Sequence, residues 1–432
     1  MSQTGKIAEV LFEQTIETYE SQISMLSLVD IFKPDAKDMQ NSGNAIWRTV
    51  QQHAPIIEGW DISGLETDII EETYPALLGT PKNDFVKQRA DDLRDMQFWE
   101  KRGKQSGKRQ ASELNKQIAS LIALTGSQFY RFESGAADAN GYGFVAEAQT
   151  ILNERQLPTD DQRHFMLNDR DLLKFSKELS GRQTMQGRPE DDAWAKGQIG
   201  NNIAEFDIHT GSFLPSILGG VSPDTTTTAA VSDKPEGGTV NSTLSTVTNV
   251  DYRLSSLIPV VSNVGYNIGD KVLFDNSGVL VEAIGLDDKT ETGQAMTFTI
   301  VGLPVSGTEI QVFPKPIAAD DVLLTTLEKA YANINTTIEA GATVVRLNID
   351  PIAKTNLFWC KDSIEVVAGE APIELLNQFG GMKVVSTTMK NGQKMYMAYD
   401  GNIDDMTFKY RLFTWYGLTN KNPQANGVAV TY

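Results

Sequence analysis

The residues able to do chemistry are few, and their spacing argues against catalysis. The histidines are His53, His164 and His209, and the one cysteine is Cys360. Structural zinc needs about four Cys or His ligands at short spacing, and Ser-His-Asp catalysis needs a histidine set against an exposed nucleophile. Three scattered histidines suit neither. One cysteine excludes an internal disulfide. Cys360 lies between Trp359 and Lys361 in an apolar run, which predicts a buried structural thiol. Gly141-Tyr142-Gly143-Phe144-Val145-Ala146 fits G-x-G-x-x-A ahead of a helix. A dinucleotide loop follows a strand, whereas Ala136 to Asn140 is turn material, so this run reads as a turn. Gly5-Lys6, Gly103-Lys104 and Gly107-Lys108 are followed by Ile, Gln and Arg, which excludes a P-loop, and no G-x-S-x-G elbow occurs.

Charged clusters give the same answer. Lys101, Arg102, Lys104, Lys108 and Arg109 form a basic run that could touch phosphate. It could equally balance Asp91, Asp92, Asp95 and Glu100 or meet another subunit, and an acidic chain favours those readings. Asp404-Asp405 and Glu190-Asp191-Asp192 have no nearby histidine and no EF-hand spacing, and read as surface acids or helix-start charges. No catalytic, cofactor-binding or metal residue is expected. A glycosidase-type pair of acids is the enzyme rival that so acidic a chain leaves open.

The elements around these residues are those of a globular chain of 432 residues, 40% hydrophobic and 22% charged, with net charge −18. Such acidity opposes general nucleic-acid binding. The start carries no basic region followed by an apolar run. No stretch of about 18 apolar residues occurs, which predicts a soluble, intracellularly folded protein without membrane contact.

Phe12, Ile16, Tyr19, Ile23 and Leu26 predict a helix over Lys6 to Leu28. Glu9, Glu13, Glu17 and Glu20 lie on its adjacent face, as a solvated stripe or a docking surface for a basic helix. Pro34, Pro55, Pro75 and Pro81 punctuate an extended stretch that suits a two-stranded loop, with Trp47 and Trp60 in a core or against a neighbouring subunit. A helical region is expected over Asn83 to Phe132, interrupted at Gly103 and Gly107, then a helix over Phe144 to Leu157. Arg163 to Leu167 reads as a strand, followed by a helix capped by Asn168 and running to about Leu179. Near Pro215 the composition shifts to short β-like runs, such as Lys271 to Phe274, Met296 to Val301 and Glu309 to Phe313. These predict a small β-barrel or sandwich inserted into a discontinuous α/β unit that resumes after Tyr331.

Several runs together resemble a known family. They are Glu58-Gly59-Trp60-Asp61, Asn83-Asp84-Phe85, Ala90 to Asp95, Pro314 to Val322, Ala330 to Thr336, Thr355 to Trp359, Gly381-Met382-Lys383, Trp415-Tyr416-Gly417 and Gly427-Val428. In this order and spacing they resemble the major coat protein of short-tailed phages of the P22 type. The resemblance spans essentially the whole chain and is weakest over Val221 to Val250.

The resemblance implies an α+β chain with the tailed-phage (HK97-like) major capsid fold and an inserted β-barrel domain. Residues 1–32 would be an N-terminal arm helix, and 33–82 the start of the peripheral domain with its extended loop. Residues 83–132 would hold the spine helix of the peripheral domain, and 133–218 the first part of the axial domain. Residues 219–337 would be the inserted domain, and 338–432 the remainder of the axial and peripheral domains. The implied function is a virion shell of pentamers and hexamers, assembled in the host bacterial cytoplasm around scaffolding protein with a portal at one vertex. The shell would expand while enclosing double-stranded DNA without sequence-specific binding, using no cofactor. Glu9, Glu13, Glu17 and Glu20 are expected to face the scaffold, and Trp60, Asp251 and Arg253 to make intersubunit contacts. The rival within the same class is another virion structural protein, a tail or decoration component.

Overall fold

The computed structural model describes residues 3–34, 45–49, 55–61, 63–64, 73–89, 96–132, 141–157, 162–173, 204–235, 255–371, 373, 377, 383–402 and 407–431. The chain divides into two compact, discontinuous units. The first comprises Met1–Ile46, Ala76–Ala119 and Glu365–Thr419. The second comprises Trp47–Pro75, Ser120–Ile364 and Asn420–Tyr432. Helices and mixed sheets together make the chain α+β.

In the first unit, helix α1 spans Gln3–Gln22 and a 3-10 turn follows at Met25–Leu28, so the helix ends earlier than its periodicity suggested. Its buried face is Ala8, Leu11, Phe12, Thr15 and Tyr19, while Ile16 and Ile23 are only half-buried. The buried face is therefore turned slightly from the predicted stripe. The cause is helix α2, Met96–Thr125, whose first part belongs to this unit. Gly103 and Gly107 do not interrupt α2. They sit one turn apart and let α1 pack backbone to backbone: a Cβ on Gly103 would lie 2.7 Å from the Leu11 carbonyl oxygen. One on Gly107 would lie 3.1 Å from the Tyr19 nitrogen and press into the Thr15 carbonyl.

Lys82–Arg89, expected as helix, is a strand. Its side chains alternate between half-buried and exposed, the period-two pattern of a one-sided sheet. It ends an antiparallel four-stranded sheet ordered Lys383–Thr388, Lys394–Asn402, Thr407–Thr414, Lys82–Arg89. Arg102 ties α2 to this sheet, donating to Asp84 at 2.7 and 2.9 Å and to the Tyr410 hydroxyl at 3.1 Å. Trp99, fully buried, meets Phe408 and Tyr410 edge-on. Ala45–Thr49 and Thr73–Leu77 pair as a two-stranded ribbon at the ends of the proline-punctuated stretch.

The second unit holds a sheet ordered Gln128–Phe132, Asn426–Thr431, Ile352–Cys360, Arg163–Leu167, Phe206–Thr210, with parallel outer pairs and antiparallel inner ones. Helix α3, Tyr142–Glu154, contributes Phe144, Val145, Ala148 and Leu152 to a core with Phe165, Phe206 and Phe358. Gly141 opens α3 at φ +85°, a turn and not a phosphate loop. Asn168 caps its helix, as expected, by accepting from the Arg170 and Asp171 amides at 3.0 Å each. The continuation to Leu179 lies outside the described residues.

A second sheet of this unit is ordered Val279–Leu280, Lys271–Asn276, Phe298–Gly302, Glu309–Phe313, Ser256–Pro259. Thr343–Arg346 pairs with Lys271–Asn276. Its core includes Ile258, Val272, Phe274, Phe298, Ile300 and Val312.

Candidate functional site

Among the described residues, His164 and Cys360 are buried and His209 is half-buried. Facing each other across parallel strands, His164 and His209 have Nδ1 and Nε2 3.4 Å apart. Burial, with His209 alongside, pushes the His164 imidazole down to about 4, against the pull of Asp207. His164 is buried, and its ring lies 5.8 Å from the Trp359 ring, tilted at 48° to it. His53 lies outside the described residues. Cys360 is buried in its strand, as expected. Among the described residues no three His, Cys, Asp or Glu side chains gather to hold a metal.

Three internal fastenings were not visible in the sequence. Lys271, wholly buried, donates through Nζ to the Ala123 carbonyl at 3.0 Å, to Thr299 Oγ1 at 2.9 Å and to the Gly126 carbonyl. Its ammonium thereby satisfies carbonyls at the C-terminus of α2, where the helix dipole favours positive charge. Burial lowers this group to about 7, against the pull of Asp270. Asp270 accepts from Arg346 at 2.6 Å and Asn348 Nδ2 at 2.9 Å, with both ends of the ion pair buried. Arg346 also stacks over Tyr266 at 5.2 Å and donates to the Gly265 carbonyl. Asp171 accepts from Asn168, Asn356 and Thr431 at 2.7 Å each, joining the cap of one helix to two strands of the sheet. Their partners lie up to 260 residues away, so no local pattern marks them.

The expected contact residues fall differently. Glu9, Glu13 and Glu17 are exposed at successive turns of α1. Glu20 is held back, accepting from the Lys390 amide at 2.9 Å and pairing with its ammonium at 3.6 Å. Trp60 is 107% exposed, and Ile56, four positions earlier in the sequence, is 90% exposed. Asp251 and Arg253 lie outside the described residues. Of the basic run, Arg102 turns inward to Asp84, whereas Lys101, Lys104, Lys108 and Arg109 stay exposed.

The described residues thus present fastened polar side chains inside, with large exposed apolar groups and a charged helix face outside. A family model described as P22 coat protein, gene protein 5, matches residues 1–431, and the chain belongs to that family. It is a tailed-phage major capsid protein, a virion component whose copies form an icosahedral shell, and not an enzyme.

The chain is also similar to solved phage structures. One is from Mycobacterium phage Che8, at 11% identity and TM-score 0.44, covering 94% of this chain and 90% of that one. Another is the capsid of cyanophage P-SCSP1u, at 11% identity and TM-score 0.44, covering 94% and 86%. A third is the head of Helicobacter pylori bacteriophage KHP40, at 9% identity and TM-score 0.42, covering 94% and 88%.

Proposed function

We propose that copies of this chain assemble with a scaffolding protein, and with a portal at one vertex, into a precursor shell in the host cytoplasm. Pentamers and hexamers form the shell, which expands as double-stranded DNA is packaged. Residues 1–32 act as the N-terminal arm, 33–82 begin the peripheral domain and carry the extended loop, and 83–132 hold the spine helix. Residues 133–218 and 338–432 complete the axial and peripheral domains. The inserted β-barrel occupies 219–337, and pairing of Thr343–Arg346 with Lys271–Asn276 supports carrying it somewhat further.

The observation that carries the scaffold assignment is the exposed row Glu9, Glu13 and Glu17, with Glu20 at its end. Carboxylates one turn apart suit a basic partner helix, and attraction between exposed charges weakens with salt, which allows release. The test is scaffold binding across a salt titration by the quadruple Glu→Gln variant, with Glu9, Glu13 and Glu17 also changed without Glu20. Weaker binding with a flatter salt response is expected of both variants, and unchanged curves reject the assignment.

Trp60 and Ile56 support the intersubunit assignment, because exposed apolar groups of this size mark association surfaces. Trp60→Ser should give shells that dissociate at lower denaturant. For Asp251 and Arg253 the proposal rests on the family resemblance, and charge reversal at Asp251 that leaves precursor stability untouched removes it.

A further inference from the structure

The exposed face of α2 carries a feature that the contacts proposed above do not include. Between Lys101 and Lys116 the exposed positions are Lys101, Lys104, Lys108, Arg109 and Lys116, together with Gln105, Ser112 and Glu113. None is apolar. The lone acid already accepts from Gln117 at 2.6 Å. No ion pair or hydrogen bond among the described residues engages the five basic side chains. At 1.5 Å per residue the ridge is roughly 22 Å long. The whole chain has net charge −18, so this basic ridge stands against an acidic background.

Composition separates two kinds of partner. Protein interfaces place aromatic and aliphatic groups at their centre and are depleted in lysine. Surfaces that meet the phosphodiester backbone are polar, basic and rich in Lys, Arg, Ser and Gln. We propose that this ridge is a sequence-independent contact site for the phosphate backbone of double-stranded DNA. The proposal rests on the reading that the shell encloses DNA and adds which surface of the chain meets it. On a chain of net charge −18, one lysine-rich ridge per copy holds the duplex weakly and reversibly, so that packaged DNA stays mobile.

The test uses the full-length unassembled chain, a random-sequence duplex of about 30 base pairs as probe, and fluorescence anisotropy across a salt series. Each phosphate contact contributes a slope of about −0.9 in log affinity against log salt. The triple variant Lys104→Gln, Lys108→Gln, Arg109→Gln should lose at least tenfold in affinity at low salt. Its slope should flatten by about 2.7. The matched variant Lys104→Arg, Lys108→Arg should bind as the wild type does. Equal affinity and slope in the glutamine variant overturn the proposal. So does a glutamine variant that binds the duplex normally and fails to form shells, because the ridge is then a coat-to-coat contact. The container reading is tested separately by the DNA content of wild-type virions. Particles without DNA refute that reading, whereas DNA-filled particles with ridge-independent duplex binding refute only the ridge.

Discussion

Gly103→Ala sets two effects of opposite sign against each other. In an isolated helix the change is favourable by about 1 kcal/mol, because alanine loses less backbone entropy. Here the added methyl would lie 2.7 Å from the Leu11 carbonyl oxygen and 3.1 Å from Gln14 Cβ. Contacts in real structures rarely fall below 3.4 Å, so the shortfall is about 0.7 Å against backbone that cannot swing aside. Overpacking of this kind costs roughly 1–3 kcal/mol, which outweighs the propensity gain and leaves a net loss of about 1 kcal/mol. Gly107→Ala, which presses into the Thr15 carbonyl and the Tyr19 amide together, should lose more. Native-state hydrogen exchange on the unassembled chain reads the effect locally. The α1 amides should exchange about five times faster in Gly103→Ala and faster again in Gly107→Ala, while the first turns of α2 keep their protection. Equal or slower exchange of α1 would refute the packing argument, since propensity alone would then decide the outcome.

Other outcomes follow from the buried charges. Lys271 has its proton affinity lowered to about 7 in the folded chain. Between that pH and the ordinary lysine range the unfolded chain binds a proton that the folded chain lacks, so stability should rise with pH across this window. Lys271→Met should abolish the rise in urea midpoints measured from pH 7 to 10, and an unaltered slope would contradict the assignment. Asp270→Asn leaves the Arg346 guanidinium buried without its counter-charge and should cost about 3–5 kcal/mol by denaturant unfolding. Adding Arg346→Met should recover much of that loss, and no recovery would place the defect elsewhere. His164 is held neutral down to about 4 against an ordinary value of 6.5. The unfolded chain gains a proton first as pH falls, so stability should decline from pH 6.5 to 4. His164→Phe should flatten that decline, and a parallel acid profile would exclude this imidazole.

Local signals were legible where they were sufficient. The Asn168 cap and the strands Arg163–Leu167 and Glu309–Phe313 follow from a capping residue and short apolar runs. Lys82–Arg89 misled because its polar residues resemble a helix surface. Its strand conformation is imposed by pairing with Thr407–Thr414, more than 300 positions later. Gly103 and Gly107 read as breakers because their purpose lies in α1, not in α2. Lys271, Asp270 and Arg346 gave no sign, since a charged residue in a strand normally points to solvent and only the folded partners reverse that expectation. The family was legible because it is carried by many colinear runs and not by a site. The proposed contact residues are written in no local pattern, because one chain holds only one side of a contact between copies.

Size exclusion with light scattering and particle imaging, on the chain expressed alone and together with the proposed scaffolding protein, bears most directly on the coat assignment. Uniform closed shells of megadalton mass in the presence of the scaffold are the expected result. A monomer or small ring that persists under both conditions would contradict it.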